Sequence, residues 1–354
     1  MFLTLKELRY SKFKFSALAF IIFLIVFLVL FITGLANGLA NDSGSALKNT
    51  TAKTFILQKD ADARLNRSNL TEQDWQRLTT KTSDTRLSVN QATIQQTAHQ
   101  KAKTDIAYFV VDANSFLAPT ITSGHQLTNK KTNQVVVSRK LQTDGYQKGD
   151  WFKDTISGHR FQIAGFTTAT AYSHSPVIYL NAQQGLLINP STKTQFNAVV
   201  SDHTKSTTSG YQTLTTKQVI SAIPGYSAEQ SSLYLMIGFL YVISLFVLAI
   251  FFYIMTLQKK ADFGVLKALG AQNRYLVNHL LTEIGLLALI AILIADGAII
   301  GISLIMPTSM PFSLTPAVIG GTSAIFLVVA VLSALLSLIQ VTRIDPISAI
   351  GGHA

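Results

Sequence analysis

The stretch "FFYIMTLQKKADFGVLKALGAQNRYLVNHL", residues 251–280, decides how this chain is organised. It leaves one long apolar run, passes through a short basic segment with two internal glycines, Gly264 and Gly270, and enters a second apolar run. The basic segment is too long for a tight turn and too short for a domain. Its pattern predicts a short amphipathic helix between two membrane-spanning helices.

Four apolar runs along the 354-residue chain are long enough to cross a membrane. A helix needs roughly 20 residues to span about 30 Å of hydrocarbon. The runs that exceed this length are 15–36, 233–257, 280–306 and 317–340. A composition of 48% hydrophobic and 13% charged residues fits a membrane protein with a large water-facing part. A cleaved signal peptide is an alternative for the first run, which is longer than the roughly 7–15 apolar residues of such peptides.

We therefore predict an α-helical membrane protein with four transmembrane helices and an inserted α+β extracytoplasmic domain. Basic residues flank the start of the first span, the end of the second and the end of the fourth, which indicates that these ends face the cytoplasm of a cell membrane. The expected parts are a cytoplasmic interfacial helix at 1–14, transmembrane helices at 15–38, 231–258, 276–306 and 317–341, the extracytoplasmic domain at 39–230, a cytoplasmic helix at 259–275, an outer loop at 307–316 and a cytoplasmic tail at 342–354.

The expected extracytoplasmic domain has two kinds of sequence. Residues 68–104 are polar and predict helices, the first of them capped by Ser68 or Asn69. From residue 105 onward, β-branched and aromatic runs alternate with turn signals such as Ser157-Gly158, which predict strands and hairpins.

Signatures of catalysis are missing from the sequence. It contains no G-x-x-x-x-G-K-[ST] phosphate loop, no H-E-x-x-H and no G-x-S-x-G. The seven histidines have no spacing typical of metal ligands, and without cysteine there is no thiol nucleophile, thiolate ligand or disulfide. We expect no catalytic residue, no metal site and no intrinsic cofactor. If ATP drives this protein, another chain binds the nucleotide.

The segment between the second and third spans predicts a capped helix. Asp262 is expected to cap a helix that begins at Phe263, and Gly270 to end it in the left-handed conformation. Such a helix suits docking into a groove on a soluble partner, but it is equally compatible with an interfacial turn that only seals the helix bundle.

The two sides of this predicted helix differ in character. Phe263, Leu266 and Leu269 are expected to share one apolar side that faces the cytoplasm. The lysines of the segment, Lys259 and Lys260 among them, are expected to lie toward water.

The stretch "FFYIMTLQKKADFGVLKALGA" resembles the core of ABC-transporter permeases of the FtsX/MacB type. The order of one span, a large outer domain and three further spans is also the plan of that family. The resemblance implies that the short helix couples to a separate cytoplasmic ATPase subunit, which carries ATP and Mg²⁺. The coupling residues that it implies are Lys260, Phe263, Leu266, Lys267, Leu269 and Gly270. Because four spans make a thin bundle, we also expect a homodimer with close helix approach at "TGLANGLA" and "ADGAIIG".

Five further stretches resemble the hemin-exporting members of that family, which implies heme as the transported substrate. They are "KELRYSKFKF", "FITGLANGLA", "TAYSHSPVIYL", "MPTSMPFSLT" and "RIDPISAIGG". Hemin has two propionates and an iron that accepts Tyr, His or Met, and arginine pairs well with carboxylates. The candidate heme-binding residues are Tyr172, His174, Tyr234, Met236, Arg64 and Arg67.

These candidates have alternative readings as structural residues. Tyr172 and His174 are expected in an exposed loop, where the histidine also fits a turn, and Tyr234 fits the interfacial aromatic belt of a span. Asp296, deep in the third span, should face protein or water, either as a structural hydrogen-bonded acid or in another role.

Other functions of the same fold stay open at this point. A mechanotransmitter that activates an outer partner protein is one, and an exporter of lipids, peptides or antibiotics is another. An adhesion or sensory protein without transport activity is the alternative from a different class.

Overall fold

The computed structural model describes residues 12–79, 81–97, 103–130, 133–307 and 310–342. The chain forms two compact units. The helical unit comprises Met1–Asn37, Ser231–Met306 and Phe312–Ala354, and the sheet unit comprises Gly38–Gln230 and Pro307–Pro311. The interfacial helix expected over 1–14 lies largely outside the described residues, and the stretch "RIDPISAIGG" lies wholly outside them.

In chain order the helices are α1 (Lys12–Lys48), α2 (Glu72–Leu78), α3 (Lys140–Thr143), α4 (Ala182–Ile188), α5 (Thr216–Ser221), α6 (Tyr226–Gln258), α7 (Lys260–Ala268), α8 (Asn273–Ile305) and α9 (Pro316–Thr342). The strands are β1 (Thr54–Gln58), β2 (Leu70–Thr71), β3 (Thr85–Gln96), β4 (Thr104–Val110), β5 (Ile121–Gly124), β6 (Gln134–Ser138), β7 (Trp151–Asp154), β8 (Arg160–Thr167), β9 (Ala171–Tyr172), β10 (Ser175–Leu180), β11 (Gln195–Phe196), β12 (Ala198–Ser201) and β13 (Tyr211–Leu214).

Four of these helices, α1, α6, α8 and α9, are long and apolar enough to cross a membrane. Their core is built from one face of each helix. The buried positions of α8 recur every three or four residues, as expected for a helix with one packed face, and include Leu280, Ile284, Leu287, Ala291, Ala295 and Ile299. Together with the mixed sheet of the other unit, these helices confirm the predicted fold class.

Helix α1 continues beyond residue 38, where the first span was expected to end. The apolar run stops at Ala36, but the helix runs on to Lys48. Ala46 and Leu47, near its end, are buried in the core of the sheet unit. Burial of these two side chains favours a continued helix, so "TGLANGLAND" lies within the helix and does not end it.

The sheet unit is built on one mixed sheet with the strand order β13-β1-β12-β3-β4-β10-β6-β8-β5. Most neighbours are antiparallel, whereas the pairs β4–β10 and β6–β8 are parallel. Side chains of β1 alternate between two cores, because successive residues of a strand point to opposite faces. Phe55 and Leu57 enter one core and Ile56 enters the other.

Six strands close into a ring, since β7 pairs with both β3 and β8. The circular order is β3, β4, β10, β6, β8 and β7. Each of these strands contributes to one core cluster, through Ile94, Tyr108, Ile178, Val137, Phe161 and Phe152 respectively. The hairpin between β7 and β8 turns at Ser157-Gly158, as predicted, with Gly158 at φ 75°.

The helices predicted over 68–104 are wrong except for α2. This helix begins after Thr71, whose backbone N–H donates to the Asp74 carboxylate at 2.7 Å, and not after Ser68 or Asn69. Residues 85–96 form the twelve-residue strand β3. The strand is polar in composition but pairs with β4 along one edge and with β12 and then β7 along the other. Pairing on both edges therefore overrides local propensity.

Candidate functional site

Helix α7 is the short element that the sequence predicts between α6 and α8. It begins at Lys260 with Lys259 as its N-cap residue, so the expected start at Phe263 is wrong. Asp262 lies within the first turn instead of at the cap, where its negative charge still suits the helix dipole.

The C-terminal end of α7 closes in a Schellman motif. Gly270 adopts a φ of 94°, the left-handed conformation predicted for it. Its N–H donates to the carbonyl of Lys267 at 2.9 Å, and the N–H of Ala271 donates to the carbonyl of Leu266 at 2.9 Å. These two bonds satisfy the last carbonyls of the helix and fix the direction in which the chain leaves it.

The two sides of α7 differ from the expectation. Phe263 is 2% exposed and belongs to the core of the helical unit, and Leu266 packs partly against the same core. These residues anchor the helix and do not form a free apolar surface. Val265 and Leu269 lie one turn apart and are 50% and 80% exposed. They form the exposed face of α7.

Lys259, which was expected to face water, makes a buried ion pair. Its Nζ lies 2.6 and 2.7 Å from the two carboxylate oxygens of Glu283 on α8. The Glu283 side chain is fully buried, and the same ammonium lies 5.5 Å from the ring centre of Phe15 on α1. We call these three residues the Lys259 cluster. Sequence reasoning missed it, although an acid inside an apolar span is itself a signal that a partner is near.

Asp296, the second acid of α8, also has a partner within the helical unit. The Ser323 hydroxyl of α9 donates to its Oδ1 at 2.8 Å. This bond connects two spanning helices and fits the structural reading of Asp296 as a hydrogen-bonded acid that faces protein.

Tyr172 does not lie in an exposed loop. It is 5% exposed on β9, where its ring packs edge-on against Phe109 with the ring centres 5.5 Å apart. Burial raises the pKa of Tyr172 to about 12, because the phenolate would lose its hydration. Tyrosine binds heme iron as its deprotonated form, the phenolate. In this conformation Tyr172 is therefore a poor ligand.

His174 is exposed, as expected, but it already has partners. Its Nε2 lies 3.1 Å from the Ser43 hydroxyl and 3.3 Å from Glu229. The backbone around it is also held in place, because the N–H groups of Ser173 and His174 donate to the carbonyls of Ser43 and Asp42. His174 thus ties the two-residue turn between β9 and β10 to the end of α1 and to the first turn of α6.

This turn gives a prediction for the sheet unit. Ser173 and His174 have φ of 50° and 63°, as in the two-residue hairpin loops that favour glycine or asparagine. We expect Ser173→Val to destabilise the sheet unit by about 1–3 kcal/mol, because a β-branched residue is strained at positive φ. The measurement is thermal unfolding followed by tryptophan fluorescence, since both tryptophans, Trp75 and Trp151, lie in this unit. Ser173→Gly should unfold at or above the wild-type temperature, and equal losses in both variants would contradict the strain argument.

The two candidate arginines belong to a single 3-10 turn, Leu65–Arg67, with Arg67 as its last residue. Arg67 is exposed and its Nη1 lies 2.9 Å from Asp62. Arg64 is half-buried at the N-cap of the same turn. Within the described part of the sheet unit, neither arginine is bonded to Tyr172 or His174.

The candidates on α6 are exposed but do not share a face. Tyr234 is 61% exposed and Met236 is also exposed. Two residues along a helix correspond to a rotation of about 200°, so these side chains point to nearly opposite sides of α6. One protomer therefore cannot direct both of them to the same ligand.

The four spanning helices, the capped helix α7 and the separate sheet unit define a polytopic membrane protein. Residues 234–346 match the family described as FtsX-like permease C-terminal. The chain is 31% identical over 363 residues to a Staphylococcus haemolyticus protein named hemin transport system permease protein HrtB, and 32% identical over 361 residues to one of the same name from Staphylococcus epidermidis. Both alignments cover 99% of this chain and 99% of the relative. The chain therefore belongs to the FtsX-like permease family.

A solved structure also aligns with part of this chain. The crystal structure of the periplasmic region of MacB from Actinobacillus actinomycetemcomitans aligns with a TM-score of 0.36 and 13% identity. The alignment covers 51% of this chain and 96% of the MacB region.

Proposed function

We propose that this protein is the permease subunit of an ABC exporter that extrudes hemin from the membrane and so protects the cell against heme toxicity. The observation that carries the proposal is 31–32% identity, from end to end, with permeases named for hemin transport. Because the alignments cover 99% of the chain, they include the sheet unit as well as the family region at 234–346.

The proposed orientation places α7 and both termini in the cytoplasm. Lys260 and Lys267 lie between α6 and α8 and Arg274 lies in the first turn of α8, whereas the loop at 307–316 carries no charge. Short cytoplasmic loops of membrane proteins are enriched in lysine and arginine. The sheet unit then lies outside the cell membrane.

ATP hydrolysis is assigned to a separate cytoplasmic ATPase chain that holds ATP and Mg²⁺. The proposed contact is the exposed face of α7, Val265 and Leu269, seated in a groove of that chain. A short helix with an apolar face suits such a groove, and Lys260 and Lys267 flank the contact. Phe263, Leu266 and Gly270 support the contact by fixing α7 on the helical unit.

A second copy of the permease is proposed to complete the path that hemin takes out of the membrane. Gly34 of "TGLANGLA" is already covered, because a Cβ there would meet Phe312 of the same chain at 2.5 Å. Gly297 and Gly301 of "ADGAIIG" have open space around them and are spaced for close helix approach. The exposed apolar face of α6 is another available surface, formed by Leu235, Phe239, Val242, Phe246 and Ile250.

Hemin is proposed to bind with Tyr234 as its first iron ligand, because this tyrosine is exposed on a spanning helix. Tyr172 would contribute only after the β9 segment opens, and His174 only after it leaves Glu229. Met236 would face the ligand from the second protomer. Arg64 and Arg67 are proposed partners of the propionates.

In the proposed mechanism, two ATPase subunits close on ATP and push the paired α7 helices. The push rocks the spanning helices and moves the two sheet units against each other. Hemin held between the protomers then loses its ligands and leaves outward. Release requires that hemin binds less tightly to the state in which the ATPase subunits are closed.

A hemin titration of the purified protein in detergent tests this proposal. Tyr234→Phe is expected to raise the dissociation constant about tenfold or more and to abolish the shift of the Soret band, because the phenolate ligand is lost. Tyr172→Phe should have a smaller effect, and the double variant should resemble Tyr234→Phe. Tyr253→Phe is the matched control, since Tyr253 is exposed on the same helix nearer its other end.

The possible outcomes of this titration test hemin binding and the assigned iron ligand separately. Saturable binding that survives Tyr234→Phe, Tyr172→Phe and the double variant would retain hemin as the ligand and overturn the assignment of Tyr234. Non-saturable partitioning that is the same in every variant would contradict hemin export and favour mechanotransmission or the export of other compounds.

A further inference from the structure

The Lys259 cluster lies where α7 begins. The carbonyl of Lys259 accepts the first hydrogen bond of α7, from the N–H of Phe263 at 3.0 Å. Its own N–H donates to the carbonyl of Thr256 in α6 at 3.2 Å. The backbone of this one residue therefore joins the end of α6 to the start of α7, while its side chain reaches α8.

The contact between Lys259 and Glu283 leaves little room for movement. One ammonium bonds both carboxylate oxygens, the Glu283 side chain is fully buried, and the Lys259 side chain is nearly so. If the two groups separate, each charge is left in the core of the bundle without its main compensation, which is strongly unfavourable. The pair therefore resists any displacement of α7 along or away from α8.

Two further contacts hold the remainder of α7. Phe263 is buried in the same core as Leu276 and Leu280 of α8. The Schellman motif at Gly270 fixes the short connection that leads into α8. Helix α7 is thus attached to α8 at its start, its middle and its end, while Val265 and Leu269 stay exposed on the other side.

We infer that Lys259 and Glu283 are positioning residues that hold α7 in one register on α8, so that a push on the exposed face of α7 is passed to a spanning helix. The inference rests on the proposed coupling of α7 to an ATPase. An apolar pair of the same size would fill the space, but it would allow α7 to slide, because apolar contacts are not directional. Phe15 extends the link to α1 by contact with the same ammonium.

The chain contains no cysteine, so two introduced cysteines can be labelled without background. We would place spin labels at Leu269→Cys on α7 and Leu293→Cys on α8, both exposed, in the full-length protein in lipid nanodiscs. The labelled protein is diluted with unlabelled protein, so that only distances within one chain are measured. The distribution of distances between the two labels is expected to be narrow with wild-type Lys259 and Glu283. It should be at least about twice as wide with Glu283→Gln or Lys259→Met.

Two further variants decide whether the effect is specific. The double variant Lys259→Glu with Glu283→Lys keeps a buried ion pair in reverse and should restore the narrow distribution. Lys14→Met removes an exposed lysine that donates to Gln258 at 3.3 Å, and it should leave the distribution unchanged. An equally narrow distribution in Glu283→Gln, or equal broadening in Lys14→Met, would overturn the inference.

The spin-label measurement needs neither hemin nor ATP, so its result does not depend on the proposed substrate.

With the ATPase bound, a second readout is the number of hemin molecules exported for each ATP hydrolysed. Glu283→Gln is expected to lower this ratio about tenfold or more while hydrolysis continues. A proportional loss of export and hydrolysis, without rescue by the reversed pair, would indicate a purely structural role and overturn the inference.

Discussion

Replacing Val265 and Leu269 together by glutamate is expected to weaken binding of the ATPase subunit about a hundredfold or more. These residues form the exposed apolar face of α7, which a partner can reach. Burial of two aliphatic side chains contributes about 3–6 kcal/mol, and introduced carboxylates would have to lose their hydration in the groove. The measurement is the amount of ATPase subunit that co-purifies with the tagged permease, together with its ATP hydrolysis.

Substitutions on the two apolar sides of α7 are expected to affect different properties, ATPase binding on the exposed side and stability on the buried side. Phe263→Ala removes an anchor from the core and should lower the unfolding temperature of the helical unit, while the docking face is kept. Ile156→Glu is the matched control for the double variant, since Ile156 is an exposed apolar residue of the sheet unit. Full ATPase binding by the Val265 and Leu269 variant would contradict the assigned docking face and point to the lysine side of the helix.

The helical unit follows closely from the sequence, because length and hydrophobicity alone define spanning helices. The four helices and Gly270 were all predicted, since each depends on a local signal. The faces of α7 were not predictable in the same way. Phe263 and Leu269 look equivalent in the sequence, and only the return of α8 against α7 decides which of them is buried.

Local sequence patterns predict only part of the sheet unit. Hairpins such as β7–β8 were visible because strand, turn and strand are contiguous. The sequence predicts a helix over β3, since its glutamines suit an exposed helix. Its extended form depends on β4 and on two distant strands, β7 and β12. The closure of β7 onto β3 joins residues more than fifty positions apart, and no sequence pattern marks such a pair.

The candidate site was predictable only in part, for a similar reason. The sequence shows that Tyr172 and His174 belong to one short segment, but a two-residue strand is too brief to reveal which side chain points inward. Lys259 and Glu283 were each visible as charges beside or within apolar runs. Their pairing depends on the chain reversal at α7, which brings the end of α6 next to α8.

Asp84→Ala is expected to destabilise the sheet unit by about 3–5 kcal/mol, because it leaves the buried Lys205 ammonium without its carboxylate. The Asp84 side chain is fully buried, its Oδ2 lies 2.6 Å from Lys205 Nζ, and its Oδ1 accepts from the Ser201 hydroxyl at 2.6 Å. For a unit of this size, such a loss lowers the unfolding temperature by roughly 6–20 °C. Tryptophan fluorescence of the full-length protein reports it, since Trp75 and Trp151 both lie in this unit.

Two comparisons show whether the loss comes from the unpaired charge. Lys205 also donates to the carbonyl of Leu78 at 2.7 Å, a contact that holds the ammonium inside the sheet unit. The double variant Asp84→Leu with Lys205→Met removes both charges and should recover most of the stability. Glu72→Gln alters an exposed pair with Arg86 and should cost less than about 1 kcal/mol. If the double variant is as unstable as Asp84→Ala, the stability arises from the packing and hydrogen bonds around Asp84, and not from its charge.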